Sequence, residues 1–371
     1  MYNFLNKISP DHFEAICALA QMEMLEAGYA GVVEFHYLHN DLSGIRYHNI
    51  SEMSQRVINA SNKSGIGLTL LPVLYEQSGV KGGNLISGQD RFGLKLCEFN
   101  KLIEEVISLE NKKGDFHIGV AAHSLRAVKK ISLKELSKNF LNYPTHIHVA
   151  EQMKEVSEIY SAWSKRPIEW MVENLDLNEK WCLIHCTQMH DYEAKLLAKS
   201  GAVIGLCPIT EANLGDGIFN GRNWLKEGGK FGIGTDSNVK ISLFEELRTL
   251  EYSQRLKYKS RIVLKKANKY TIGRSLIESV LEGGMLASGR KTGKIQKGYW
   301  ADILALDLTS FDYFDLNDNE KLDYLIFSEK DVVIDSVFSA GRLLVKNGKH
   351  INKKKIITNY KLALHEIFKK L

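Results

Sequence analysis

The chain has 371 residues, a length that suits one large domain or a large domain with a small companion. Hydrophobic residues make up 44% and charged residues 25%, which excludes a chain too polar to build a core. The net charge of +5 is small, and the basic runs Lys265-Lys266 and Lys353-Lys354-Lys355 carry no interleaved aromatics, so they read as solvated faces and not as a nucleic-acid surface.

The first predicted element is a helix. Ser9 suits an N-cap, Pro10 suits a first turn, apolar residues recur at helical spacing from Phe13 to Leu25, and Gly28 ends the run. The apolar run AGVVEFHY (30–37) follows as a strand. The same alternation then repeats. A helix near 51–63 leads to GLTLLPVL (67–74), and a long helix near 90–110 leads to HIGVAAHS (117–124). LKELSKNFL leads to THIHVAEQ (145–152), and a helix over 153–174 leads to WCLIHC (181–186). YEAKLLAKSG leads to AVIGLC (202–207), a short helix leads to KFGIGTDS (230–237), and a long helix over 243–282 comes next. Strands alternating with helices imply parallel pairing through crossovers, and near-continuous apolar strands imply burial on both faces. Seven such strands are counted, where a closed (β/α)8 barrel has eight. Beyond them, ADILALDL (301–308) and VVIDSVFSAGRLLVKNGKHI (332–351) read as β-rich, with a hairpin turn at Asn347-Gly348.

The five cysteines are odd in number and form no CxxC, and Cys182, Cys186 and Cys207 sit in apolar strand-like runs, which points to a reducing compartment. No stretch approaches the roughly 18 apolar residues that span a bilayer, and MYNFLNKISP has no signal-peptide layout, so the cytoplasm is expected.

An α/β barrel carries its site at the C-terminal ends of its strands. Here those ends bear His36 and Tyr37, His123 with Arg126 just beyond, His148 and Glu151, His185, and Asp236. His148 and Asp236 are suitable metal ligands, and Glu151, three residues past His148, is placed to move protons. Arg126 in HSLR presents a planar fork that matches a carboxylate. Each has a plainer reading: a satisfied core histidine, a helix N-terminal acid for Glu151 or Asp236, a surface ion pair for Arg126. Polar ends converging on one rim weigh for the functional reading. His146, two residues before His148 and on the same strand face, is expected to be structural or to support a ligand.

These motifs resemble the amidohydrolase superfamily, and within it the formimidoylglutamate deiminase branch. GTDS (234–237), the HxxE of 148–151 and the strand-end histidine are general to the superfamily. VEFHY (33–37), HSLRAV (123–128), HVAEQ (148–152) and TEANLGDGIF (210–219) are similar to that branch in particular. The resemblance implies hydrolysis of N-formimino-L-glutamate to N-formyl-L-glutamate and ammonia. It implies one Zn2+ per subunit held in part by His148 and Asp236, with Glu151, His185 and Asp236 catalytic and Tyr37, His123 and Arg126 holding the substrate. It further implies a small-molecule partner, a homodimer, and no nucleic acid or membrane.

The superfamily places an HxH at the end of the first barrel strand, and the HxH found in this sequence, His146–His148, belongs to a later strand. The expected fold is therefore α/β: a TIM-type amidohydrolase barrel over 1–298 lacking its first strand. A partial small β domain with a terminal helix is expected over 299–371, and the metal site is expected to be incomplete. Two other readings stay open: a deaminase for a ring substrate such as guanine, against which a carboxylate clamp at Arg126 argues, and a non-catalytic binding remnant.

Overall fold

The computed structural model describes residues 2–86, 88–110, 115–267, 271–309, 315–328 and 334–369. Helix α1 (Tyr2–Leu5) precedes α2 (Pro10–Glu26), β1 (Gly31–His36), α3 (Glu52–Ser64) and β2 (Gly67–Leu74). Next come α4 (Leu96–Glu110), β3 (Phe116–Ile118), β4 (Val120–Ser124), α5 (Lys130–Asn139) and β5 (Thr145–Val149). Helices α6 (Met153–Trp163) and α7 (Pro167–Asn174) lead to β6 (Trp181–His185), α8 (Asp191–Ala198) and β7 (Val203–Leu206). Then follow α9 (Pro208–Leu214), α10 (Gly221–Lys226), β8 (Lys230–Ile233), α11 (Leu243–Tyr258) and α12 (Ile272–Ser288). Strand β9 (Ile303–Leu306), α13 (Asp318–Phe327), β10 (Ile334–Ser339), β11 (Arg342–Lys346), β12 (Lys349–His350) and α14 (Lys353–Phe368) complete the order.

The first sheet is wholly parallel and runs β1-β2-β4-β5-β6-β7-β8, with β3 also on β2. Its strands match the seven expected, and its curl with outer helices is that of a TIM-type barrel. Among the described residues β1 and β8 do not pair with each other. The third predicted strand is broken at Gly119, where a Cβ would stand 2.6 Å from the Pro144 carbonyl oxygen. A second, antiparallel sheet runs β12-β11-β10-β9, and Asn347 and Gly348 make its tight turn with φ of 51° and 69°. Val332 and Val333 of the predicted C-terminal run lie outside the described residues.

Three predicted helices end differently. The 90–110 run becomes helical only at Leu96, because the loop before it is held open by Asn40, whose Nδ2 donates to the Asp90 and Gly93 carbonyls at 2.7 and 3.0 Å. The 153–174 run breaks at Ser164 (φ 55°), just before Pro167, whose ring disfavours helical backbone at Arg166. The 243–282 run stops at Lys259 (φ 51°) and restarts under the Thr271 cap, whose hydroxyl accepts from the Arg274 N–H. Residues 268–270 lie outside the described residues. Ser9 caps α2 as its sequence implies, its Oγ accepting from His12 N at 3.3 Å.

At the barrel floor, the buried Arg290 guanidinium lies beneath Gly67, packs over the Trp300 ring at 5.2 Å, donates to the Asp115 carbonyl and approaches Asp302 at 3.5 Å. Side-chain alternation along β1 sends Val33, Phe35 and Tyr37 into the barrel with Leu71, Val73 and Ala121. Glu34 and His36 face α2 instead: Glu34 accepts from Gln21 Nε2 at 2.7 Å, and the His36 ring lies 5.8 Å from Phe13. Burial pushes the Glu34 carboxyl up to about 7, against the help of Gln21. A carboxyl raised in the folded state binds its proton more tightly there than in the unfolded chain. Stability is therefore full below the ordinary glutamate range and falls as pH rises toward 7. Glu34→Gln should raise the melting midpoint over the wild type at pH 8 and leave the two alike at pH 4; equal midpoints at both would show that Glu34 ionises freely.

Candidate active site

The parallel register sets the site residues level with one another. Ser124 pairs with His148, His148 with Ile184, and Val149 with His185, so three adjacent strands end together. The ends are left by unusual backbone: Ala150 (φ 51°), His185 (φ 72°), Cys186 (φ 50°) and Asp236 (φ 45°) are all left-handed without being glycine. Such positions cost of order 1–3 kcal/mol each and persist where the surroundings demand them. Here they turn the chain so that successive polar side chains reach one opening.

His148 is the centre of the group. Its ring lies 4.4 Å from Phe35, 5.4 Å from His123 and 5.7 Å from His185, the last stacked at 27°. His148 Nδ1 stands 2.9 Å from the His123 carbonyl oxygen, which can only accept, so Nδ1 carries the proton and Nε2 keeps its lone pair. Burial, then the neighbouring His123 and His185, holds its pKa well below the usual histidine value. His146 lies one layer deeper, with Nε2 2.8 Å from the Ala287 carbonyl.

His185 is buried between two carboxylates. Glu211 Oε1 is 3.2 Å from Nδ1 and Glu151 Oε1 is 3.7 Å from Nε2. Burial alone would lower the pKa of His185, but the Glu211 hydrogen bond and the charges of Glu211, Glu151 and Asp236 outweigh it and raise it. Glu211 is itself fixed by the Cys207 N–H at 2.9 Å. Glu151 is pushed up, chiefly by burial, with Asp216 and Asp236 adding to the push against His185. Its backbone is pinned by Glu155, whose carboxylate accepts from Ala150 N at 3.0 Å and Glu151 N at 3.1 Å. Asp236 is pushed up in the same way, by its protein surroundings and by Asp216; its exposure to solvent at the barrel mouth tempers that shift.

On the other side of His148 the residues change character. His123 packs edge-on against Tyr75 at 4.7 Å and Tyr37 at 5.7 Å, and burial with the nearby Arg126 charge lowers it to about 4. Arg126 Nε is buried without a partner, and among the described residues no carboxylate forms an ion pair with its guanidinium. The guanidinium is half-buried, and an enclosed N–H without a partner favours an arriving anion. The structure therefore gathers His148, Glu151, His185 and Asp236 at one end and Tyr37, His123 and Arg126 at the other. Sequence reasoning passed over Glu155, Glu211 and Asp216, although Glu211 and Asp216 lie in TEANLGDGIF (210–219) and Glu155 stands three residues past HVAEQ (148–152).

A parallel barrel with a histidine, carboxylate and aspartate rim of this kind defines a hydrolase of the amidohydrolase type. The chain belongs to the amidohydrolase family, whose profile matches residues 1–344. It is 39% identical over 369 residues to the formimidoylglutamate deiminase of Pseudomonas aeruginosa, covering 99% of this chain and 81% of that protein. The crystal structure of an amidohydrolase from Brucella melitensis superposes with a TM-score of 0.94 at 41% identity, over 99% of this chain and 81% of that one. An adenosine deaminase from Xanthomonas campestris with bound zinc shares the fold, with a TM-score of 0.79 at 19% identity over 98% of this chain and 76% of that one.

Proposed function

We propose that this chain hydrolyses N-formimino-L-glutamate to N-formyl-L-glutamate and ammonia. The observation that carries the reading is the unpaired Arg126 beside the His148–His185–Glu151 group, which suits a substrate with a carboxylate at one end and a hydrolysable C=N at the other. Near-full-length similarity to a formimidoylglutamate deiminase supports it.

The donors fit a divalent metal in kind. His148 offers a free Nε2 lone pair and Asp236 a hard carboxylate oxygen. A catalytic zinc site takes three protein ligands; among the described residues His148 and Asp236 are the two that match, and no group of three His, Cys, Asp or Glu converges. Zn2+, one per chain, would act there as a Lewis acid that makes water nucleophilic near neutral pH.

The residues of the chain then divide the work. Arg126 grips a substrate carboxylate with two parallel hydrogen bonds, beside Tyr37 and His123. Glu151 takes the proton of the attacking water and hands it to the departing nitrogen. Its raised pKa suits a group that must both accept and release a proton. His185, held by Glu211 at Nδ1, turns Nε2 toward the reacting centre and stabilises charge that develops on the attacked group.

The test is ammonia release from the zinc-supplemented protein against formiminoglutamate, guanine and adenosine. Release from formiminoglutamate alone, lost with a chelator and regained with zinc, is expected. Release from a purine without release from formiminoglutamate would overturn the reading. The same reading carries a barrel unit over 1–298, a β unit over 299–371, a homodimer and a cytoplasmic setting. No helix among the described residues is long and apolar enough to cross a membrane, and sedimentation tests the dimer.

A further inference from the structure

Asp216 has no part in the chemistry above, yet it lies inside the site. It is 8% exposed. Its Oδ1 accepts from Gln152 Nε2 at 2.9 Å, and its Oδ2 is buried without a partner. Its charge reaches both Glu151 and Asp236. The loop that carries it is tied to the shuttle, because Gln188 Nε2 donates both to the Asp216 carbonyl and, at 3.2 Å, to the Glu151 carbonyl. Among the described residues no lysine, arginine or histidine forms an ion pair with Asp216.

The other acids of the site are accounted for: Glu211 holds His185, Glu155 holds the backbone of Glu151, Glu151 moves protons and Asp236 suits the metal. Asp216 is left as a buried carboxylate with one oxygen unused. Such a group is disfavoured unless a cation or a strong donor meets it. We infer that Asp216 is a substrate-binding carboxylate that receives the N–H donors of a cationic amidinium and so selects the formimino substrate over its formyl product. The inference rests on the reading that the substrate is formiminoglutamate.

The chemistry distinguishes the two ligands at this oxygen. An amidine is protonated in neutral water and offers charged N–H donors, which make the stronger, charge-assisted hydrogen bonds to a carboxylate. The formyl group that replaces it presents a carbonyl oxygen, an acceptor that an ionised Asp216 repels. One residue would then favour entry of the substrate and departure of the product.

Steady-state kinetics of the full chain, with zinc supplied, giving KM for N-formimino-L-glutamate and the inhibition constant of N-formyl-L-glutamate, tests this. Wild type should bind the formimino compound more tightly. Asp216→Asn, which keeps shape and removes charge, should weaken that binding about tenfold, the usual scale of one charge-assisted hydrogen bond, and leave formyl binding within twofold. Asp216→Glu, which keeps the charge, should retain the preference, and it decides the matter should the Asn variant melt early. Equal losses for both ligands would mark Asp216 as structural and overturn the inference, as would no loss for either. A wild type without turnover of N-formimino-L-glutamate would overturn the proposed function itself, and the inference with it.

Discussion

Glu151→Gln should lower turnover of formiminoglutamate by about 10²–10⁴-fold, the range that one positioned acid–base group contributes. The amide keeps the volume and most of the hydrogen bonding of the carboxylate but can neither take the water proton nor give it to the leaving nitrogen. The protein around it should hold. The Ala150 and Glu151 N–H groups are bound by Glu155 and not by the Glu151 side chain, and Gln188 binds the Glu151 carbonyl. The loss should therefore fall on kcat with KM nearly unchanged, because the substrate grip proposed above lies with Arg126, Tyr37 and His123 and not with Glu151. Steady-state ammonia release checks this. Activity within tenfold of wild type would move the proton shuttle to another group, with Asp236 the first alternative. A rise in KM at constant kcat would instead make Glu151 a binding residue.

Much of this site was open to reading in the sequence because barrel geometry turns strand ends into a list of candidates. Tyr37, His123, His148, His185 and Asp236 stand at or just past the ends of apolar runs, and parallel pairing in register brings such ends to one rim. Ser9 and Pro10 marked the start of α2 for equally local reasons. The supporting acids were hidden for a physical reason as well. Glu155 and Glu211 stand in the first turns of α6 and α9, where an acid is ordinary for its effect on the helix end. That one cradles the N–H groups of Ala150 and Glu151 and the other a histidine ring becomes visible only when the preceding turn is folded back. The left-handed backbone at Ala150, His185 and Asp236 left no trace either, since none of these residues is glycine. Helix breaks at Ser164 and Lys259 escaped helical periodicity because the apolar spacing continues across them.

The strained turns and the unpartnered polar atoms lie together at the rim. Ala150, His185 and Asp236 are held against their backbone preference, while Arg126 Nε and Asp216 Oδ2 are enclosed without a hydrogen-bond partner. Both kinds of cost fall on the same rim and are offset by the apolar core behind it. That core includes Leu70, Leu74, Val120, Ile147, Val149, Leu183, Ile204 and Leu206, all buried in one cluster. A scaffold of this kind tolerates loss of a polar rim residue better than loss of contact between its strands and helices.

The contact of α12 with β8 shows how narrow that tolerance is. Gly283 and Gly284 are neighbours in one helix, yet they face opposite demands. A Cβ on Gly283 would stand 1.9 Å from the Phe231 carbonyl oxygen and 2.6 Å from Gly232 N, both strand backbone that cannot rotate away. A Cβ on Gly284 would meet nothing within 4 Å. Gly283→Ala must therefore lift α12 off β8, opening the layer that also carries the His146–Ala287 bond. Overpacking of this kind costs about 3 kcal/mol. Gly284→Ala should instead be neutral or stabilise by roughly 0.5–1 kcal/mol, because alanine gives up less chain entropy in a helix. Chemical denaturation of the two variants beside wild type separates the effects with the same substitution one residue apart. A lower midpoint for Gly283→Ala together with an equal or higher one for Gly284→Ala is expected. Midpoints that fall alike for both would mean that the cost comes from the helix itself, and the backbone-to-backbone seating of α12 on β8 would have to be abandoned.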